Sequence, residues 1–126
     1  MLTAVYPKEL PLPAGHYAPA IIHDQLVYMS GTLPLGLSTH APTPDSSFEA
    51  QLRQLLANCD AVLHAAGSAT HKVISFTLYL TELGDWDAAD QLLADFFGEH
   101  RPSRSVICVP RIRKGYAVQA TLIAAL

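Results

Sequence analysis

Charged residues are scarce in this chain. Asp, Glu, Lys and Arg make up 15% of its 126 residues, against about a quarter in ordinary soluble domains. Apolar side chains supply 50%. A small domain has a large surface for its volume, so some of that apolar surface must be covered, and self-association is the simplest cover. Basic charge is not in excess either: eight Lys and Arg face eleven Asp and Glu, for a net charge of −3. That removes the dense cationic surface a phosphate backbone needs, so nucleic acid is not an expected partner. Cysteine is nearly absent. Cys59 and Cys108 lie far apart and match no metal or redox spacing, so reduced thiols are expected. No apolar run approaches the roughly 20 residues that span a bilayer. Met1 to Gly15 has neither the basic nor the apolar region of a secretory signal, and a cytoplasmic location is the default expectation. The histidines His16, His23, His40, His64, His71 and His100 form no H-x-H or H-E-x-x-H pattern, so no metal site is expected.

The length implies one domain, residues 1–126, with a core that needs no disulfide or metal. Pro7, Pro11 and Pro13 make Met1 to Gly15 an extended arm without regular structure. Tyr17 to Ile22 and Leu26 to Ser30 read as strands joined by the polar turn His23-Asp24-Gln25. Pro19 requires an edge position or a strand start. Leu33 to Asp45, with four breakers at Pro34, Gly36, Pro42 and Pro44, is a loop. Phe48, Leu52, Leu55, Leu56, Cys59, Val62, Leu63 and Ala66 then recur at helical spacing. Ser46 with Glu49 fits a capping box, and Gly67 fits the stop. Lys72 to Thr81 alternates as a strand, with Ile74, Phe76, Leu78 and Leu80 on one face and Val73, Ser75, Thr77, Tyr79 and Thr81 on the other. Asp85 can cap a second helix that ends at Gly98. Ser103 to Val109 and Gly115 to Leu126 are strands on either side of the basic turn Pro110 to Lys114. The order β-β-α-β-α-β-β predicts an α+β fold: a single mixed sheet with two helices on one face. Its other face, bearing Ser75, Thr77 and Tyr79, would stay bare unless a second copy covers it.

Several short motifs, in this order, resemble the RidA (YjgF) family of reactive imine and enamine deaminases, also described as the endoribonuclease L-PSP family. They are Gly15-His16-Tyr17, Ser30-Gly31-Thr32-Leu33-Pro34, Gln51 and Asn58 with Val62-Leu63 and Ala65-Ala66-Gly67, Lys72-Val73, Thr81-x-Leu83-x-Asp85, Phe96-Phe97, and Pro102-Ser103-Arg104-Ser105. The resemblance runs from about Gly15 to Ala124. It implies a homotrimer like that of chorismate mutase, with ligand clefts between subunits. It also implies hydrolysis of small 2-imino acids to a 2-keto acid and ammonia, with no cofactor.

By itself Arg104 reads more readily as a surface ion-pairing arginine than as a clamp for a carboxylate, whose two oxygens match a guanidinium fork. The resemblance selects the clamp. It also places Tyr17, Ser30 and Gly31 at the cleft, with backbone groups near Ser105 and Val106 positioning the imine. Gln119 stands where the family's deaminases typically carry Glu. A carboxylate can orient water and take its proton, whereas an amide can only orient it, so weak turnover is expected. Two alternatives stay open: a module that binds a small carboxylate without chemistry, and a hydrolase or lyase of another substrate in the same cleft. Asp90 replaces a frequent Asn and reads as a solvated helix residue or as a charge that repels a carboxylate. Pro19 replaces a common Gln at the cleft rim. His16, beside Tyr17, is a further candidate for the cleft. Cys108 shares a strand face with Arg104 and Val106 and is expected in the core. Arg111, Arg113 and Lys114 are expected to be solvated.

Overall fold

The computed structural model describes all 126 residues. The chain runs β1 (Thr3–Val5), β2 (Ala20–His23), β3 (Leu26–Thr32), α1 (Phe48–Ala65), β4 (Val73–Leu80), α2 (Trp86–Phe97), β5 (Ser103–Cys108) and β6 (Val118–Ala125). The strands form one six-stranded sheet in the order β1-β2-β3-β6-β4-β5. All pairs are antiparallel except β4 with β5. A parallel pair needs a crossover, and α2 supplies it. This is the α+β arrangement expected, with one strand more: the arm is not irregular throughout, because Thr3 to Val5 pairs with β2. Pro7, Pro11 and Pro13 interrupt only the part of the arm beyond β1.

The β2–β3 hairpin closes on Asp24 and Gln25, at φ 48° and 66°. Two positive φ values give the twist that matches adjacent antiparallel strands. Pro19 immediately precedes β2, so it costs the ladder no donor, and its carbonyl accepts from the Ser30 N–H at 2.9 Å.

Apolar spacing drives α1 onto the sheet: Leu52, Leu55, Cys59, Val62 and Leu63 are fully buried. The helix starts one residue later than the capping box implied. Ser47 accepts from the Ala50 N–H at 3.1 Å, whereas the Ser46 hydroxyl is occupied by the Thr43 N–H at 2.9 Å. At the other end the Gly67 N–H donates to His64 O and the Ser68 N–H to Leu63 O, a Schellman closure that needs Gly67 at φ 80°. Asp85 takes the cap position of α2 but makes no side-chain cap bond. Its carboxyl is raised above the usual range by burial and then by the charges of Glu49 and Glu82.

The core lies between the helices and one face of β3, β6 and β4. Phe76, Leu78, Leu80, Val118, Ala120 and Ala124 are fully buried there, and the Phe76 ring meets the edge of Phe97 on α2 at 5.4 Å. The β4 alternation breaks at its start. Val73 opposes Ala124 and Ser75 opposes Ile123, with a register shift between them. The extra residue turns Ile74 out, 47% exposed, and Val73 into the core, the reverse of the expected faces. Cys108 is also not in the core. It is exposed, because β5 is the sheet's last strand and only its Val106 is even half-buried.

Phe76→Ala is expected to destabilise the domain by about 3–5 kcal/mol through the cavity it opens, read from urea unfolding. Burial pushes the Cys59 thiol from 9.0 up to about 12, with the charge of Asp60 adding to the rise. Below pH 9.0 this contribution to stability is complete; from there to about 12 the unfolded chain loses the proton and the folded chain keeps it, so stability falls. Cys59→Ala should flatten that alkaline decline when urea midpoints are compared at about pH 8 and about pH 10.5.

Candidate functional site

Two buried amides on α1 build the site's frame. The Gln51 Nε2 donates to Pro44 O at 3.2 Å and Ser46 O at 3.0 Å, and its Oε1 accepts from the Ala117 N–H at 2.8 Å. The Asn58 Nδ2 donates to Leu33 O at 3.0 Å and Leu35 O at 2.6 Å, while Gln54 donates to its Oδ1 at 2.9 Å. The loop after β3 and the entry to β6 are thereby tied to the same helix.

Between those two segments the β3–β6 ladder is irregular. Met29 opposes Leu122 and Thr32 opposes Ala120, so Ser30 and Gly31 bulge opposite Thr121. Thr121 fills the gap by donating from Oγ1 to Met29 O at 2.6 Å. Ser30 donates from Oγ to Ala18 O at 2.7 Å, fixing the segment beside Tyr17. The Gln119 amide lies against Gly31, where any Cβ would collide with its Nε2. Bulges of this kind re-aim side chains; this one opens a cavity of about 710 Å³ lined by Tyr17, Ser30, Gly31 and Gln119, with Pro11 to Gly15 as one wall and Leu33, Leu35, Arg113 and Lys114 as others. The arm and the basic turn are therefore part of the site, which sequence spacing did not reveal. His16 lines an adjoining pocket with Tyr6, Leu12 and Tyr17. Pro19 lines a narrow apolar slot with Leu10, Ser30 and Leu33.

Arg104, Ser105 and Val106 are elsewhere. Strand β4 lies between β5 and β6. Arg104 opposes Phe76, whose side chain points to the helices, whereas Gln119 opposes Tyr79 on the open face. Arg104 and Gln119 therefore project from opposite faces of the sheet, and one chain cannot close both around a ligand. Arg104 instead donates from Nη1 to Asp90 Oδ1 at 2.6 Å. The side chains are 33% and 60% exposed, so solvent screens the pair and it adds little stability. Asp90 is thus neither free in solvent nor remote from the arginine. No group of three His, Cys, Asp or Glu side chains is arranged to hold a metal, and no helix is long and apolar enough to cross a membrane.

An α+β sheet with two helices on one face, and a cavity at a bulge between two central strands, define a domain of the Rid type. Residues 8–126 match the family model described as Endoribonuclease L-PSP, and the chain belongs to that family. It is similar to the Rid-family protein YyfA of Yersinia pestis, with 30% identity, a TM-score of 0.94 and 100% of each chain covered. It is 28% identical to the 3-aminoacrylate deaminase RutC of Acinetobacter baylyi over 95% of this chain and 94% of the relative. A solved structure of Escherichia coli TdcF with bound serine is 26% identical, with a TM-score of 0.90 and 98% of each chain covered.

Gly31→Ala is expected to swing the Gln119 amide away while shifting the melting temperature little, because the atoms in its way are the end of a flexible side chain. A changed Gln119 side-chain amide resonance with a near-native melting curve would bear this out; a large loss of stability would instead make Gly31 a packing residue.

Proposed function

We propose that this protein is an imine and enamine deaminase that hydrolyses small 2-imino acids to a 2-keto acid and ammonia. Membership of a family that includes a 3-aminoacrylate deaminase supports the reaction class. The observation that carries the reading is the cavity that sets the Gln119 amide against the bare backbone of Gly31. The site is completed by a second copy in a cytoplasmic homotrimer. The open sheet face, with Tyr28 42% exposed, and the uncovered β5 edge are surfaces such an assembly would bury. Arg104 from one copy meets the cavity of the next and takes the substrate carboxylate through its fork. Backbone groups near Ser105 and Val106 face the imine.

An imine carbon is already electrophilic, so the chain has little to do beyond positioning. Gln119 accepts a hydrogen bond from water and aims its oxygen at the C=N carbon. As the C–O bond forms, the C=N electron pair moves to nitrogen, and a proton from the water follows it. Proton transfer from the new hydroxyl to nitrogen then accompanies C–N cleavage, leaving a C=O group and releasing ammonia. Because an amide takes no proton, the substrate nitrogen serves as base, and turnover is slow.

The neutral Gln119 also fits a second reading, a carboxylate-binding protein without chemistry, and the serine bound to TdcF is a ligand of that size. The test is hydrolysis of 2-iminopropanoate, generated in situ by an amino-acid oxidase and followed by semicarbazide trapping. Protein-dependent loss of the imine is expected. Arg104→Ala should abolish it, and Gln119→Glu should raise the rate about 100-fold, the lower end of what a general base contributes. No loss at high protein concentration, with Gln119→Glu equally silent, would leave the binding protein.

A further inference from the structure

We propose that the basic turn before β6 is a second anion subsite, so that the preferred ligand of the cavity is a small diacid. This rests on the proposed function and specifies its substrate. Arg113 and Lys114 line the main cavity. Arg111 lines the adjoining pocket on the other side of Gln119, with Tyr79 and Thr121. No Asp or Glu lines either pocket, although acidic residues outnumber basic ones by eleven to eight in the chain. None of the three cations is paired, for the ion pairs are His23 with Asp24 and Arg104 with Asp90. Gln119 between them is neutral. The region is therefore uniformly positive, and an anion entering it meets no repulsion.

Arg111, Arg113 and Lys114 are exposed, as expected, but the turn that carries them is held in place. Ile112 and Tyr116 on either side of it are each only 8% exposed. The Ala117 N–H is bound by Gln51 at 2.8 Å. Lys114 holds φ 63°, a left-handed backbone that a lysine adopts only where its surroundings impose it. Cations on an anchored turn lose less freedom on binding than cations on a loose one. The side chains of the turn suit a carboxylate. The Gly115 and Tyr116 N–H groups are already donated to Ile112 O and Arg113 O, so an anion at the turn is met first by guanidinium and ammonium groups. A guanidinium fork matches two carboxylate oxygens.

The test compares 2-oxopentanedioate with 2-oxopentanoate by calorimetric titration of the whole protein at low salt. The two acids have the same number of carbons and differ in the far carboxylate. The diacid should bind at least about tenfold more tightly, and salt near 1 M, where the screening length is about 3 Å, should erase the preference. In the triple variant Arg111→Gln, Arg113→Gln, Lys114→Asn the ratio should fall to about one; asparagine tolerates the left-handed backbone at Lys114, so the turn survives. Equal affinities in the unaltered protein, or a preference that persists in the variant, would overturn the subsite and leave the proposed function standing. Failure of both acids to bind would overturn the two together.

Discussion

The satisfaction of two buried amides is the constraint on which the rest of the site depends. Gln51 and Asn58 are 1% and 3% exposed, and a buried amide costs free energy unless its donors and acceptor find partners. On the inner side of α1 their partners are the backbone of the loop after β3 and of the approach to β6. Meeting that demand places both segments. Leu33 and Leu35 form a wall of the cavity because Asn58 holds their carbonyls. Gln119 is aimed correctly because the N–H of Ala117, two residues earlier, is tied to Gln51. The side chains that shape the site thus do not themselves line it.

The sheet order imposes the second constraint. Parallel pairing with β4 puts β5 at the edge, and the pleat sends Arg104 to the helix side, where Asp90 on α2 receives it. An arginine with one of its edges occupied by a carboxylate still has donors left. Its fork remains usable, though a ligand there meets a nearby negative charge. The basic turn is the opposite environment, with cations and no carboxylate. The molecule therefore has cationic side chains in two places of different character. One is electrostatically balanced by Asp90 and the other is not.

The elements were legible because each rests on local chemistry. Helical periodicity and Gly67 marked α1, and alternation marked β4. The arm's strand β1 was not legible, because its three residues are held only by a partner about 17 residues away in sequence. Nor was the reversal of Val73 and Ile74, since a bulge is decided by the strand opposite. Ser46 and Ser47 were indistinguishable as caps until the turn at Thr43 occupied one of them.

Among the candidate site residues, Tyr17, Ser30, Gly31 and Gln119 could be named from motifs and do share one cavity. Arg113 and Lys114 could not, because nothing in their neighbours reveals what lies across from a turn. What the sequence alone determined was the period of each element, the scarcity of charge and the neutrality of Gln119, all properties of residues and their near neighbours. The tertiary structure decided which of those residues meet. Strand order and pleat, set by the burial of one apolar face against two helices, assign every side chain to a face, and no local pattern carries that information.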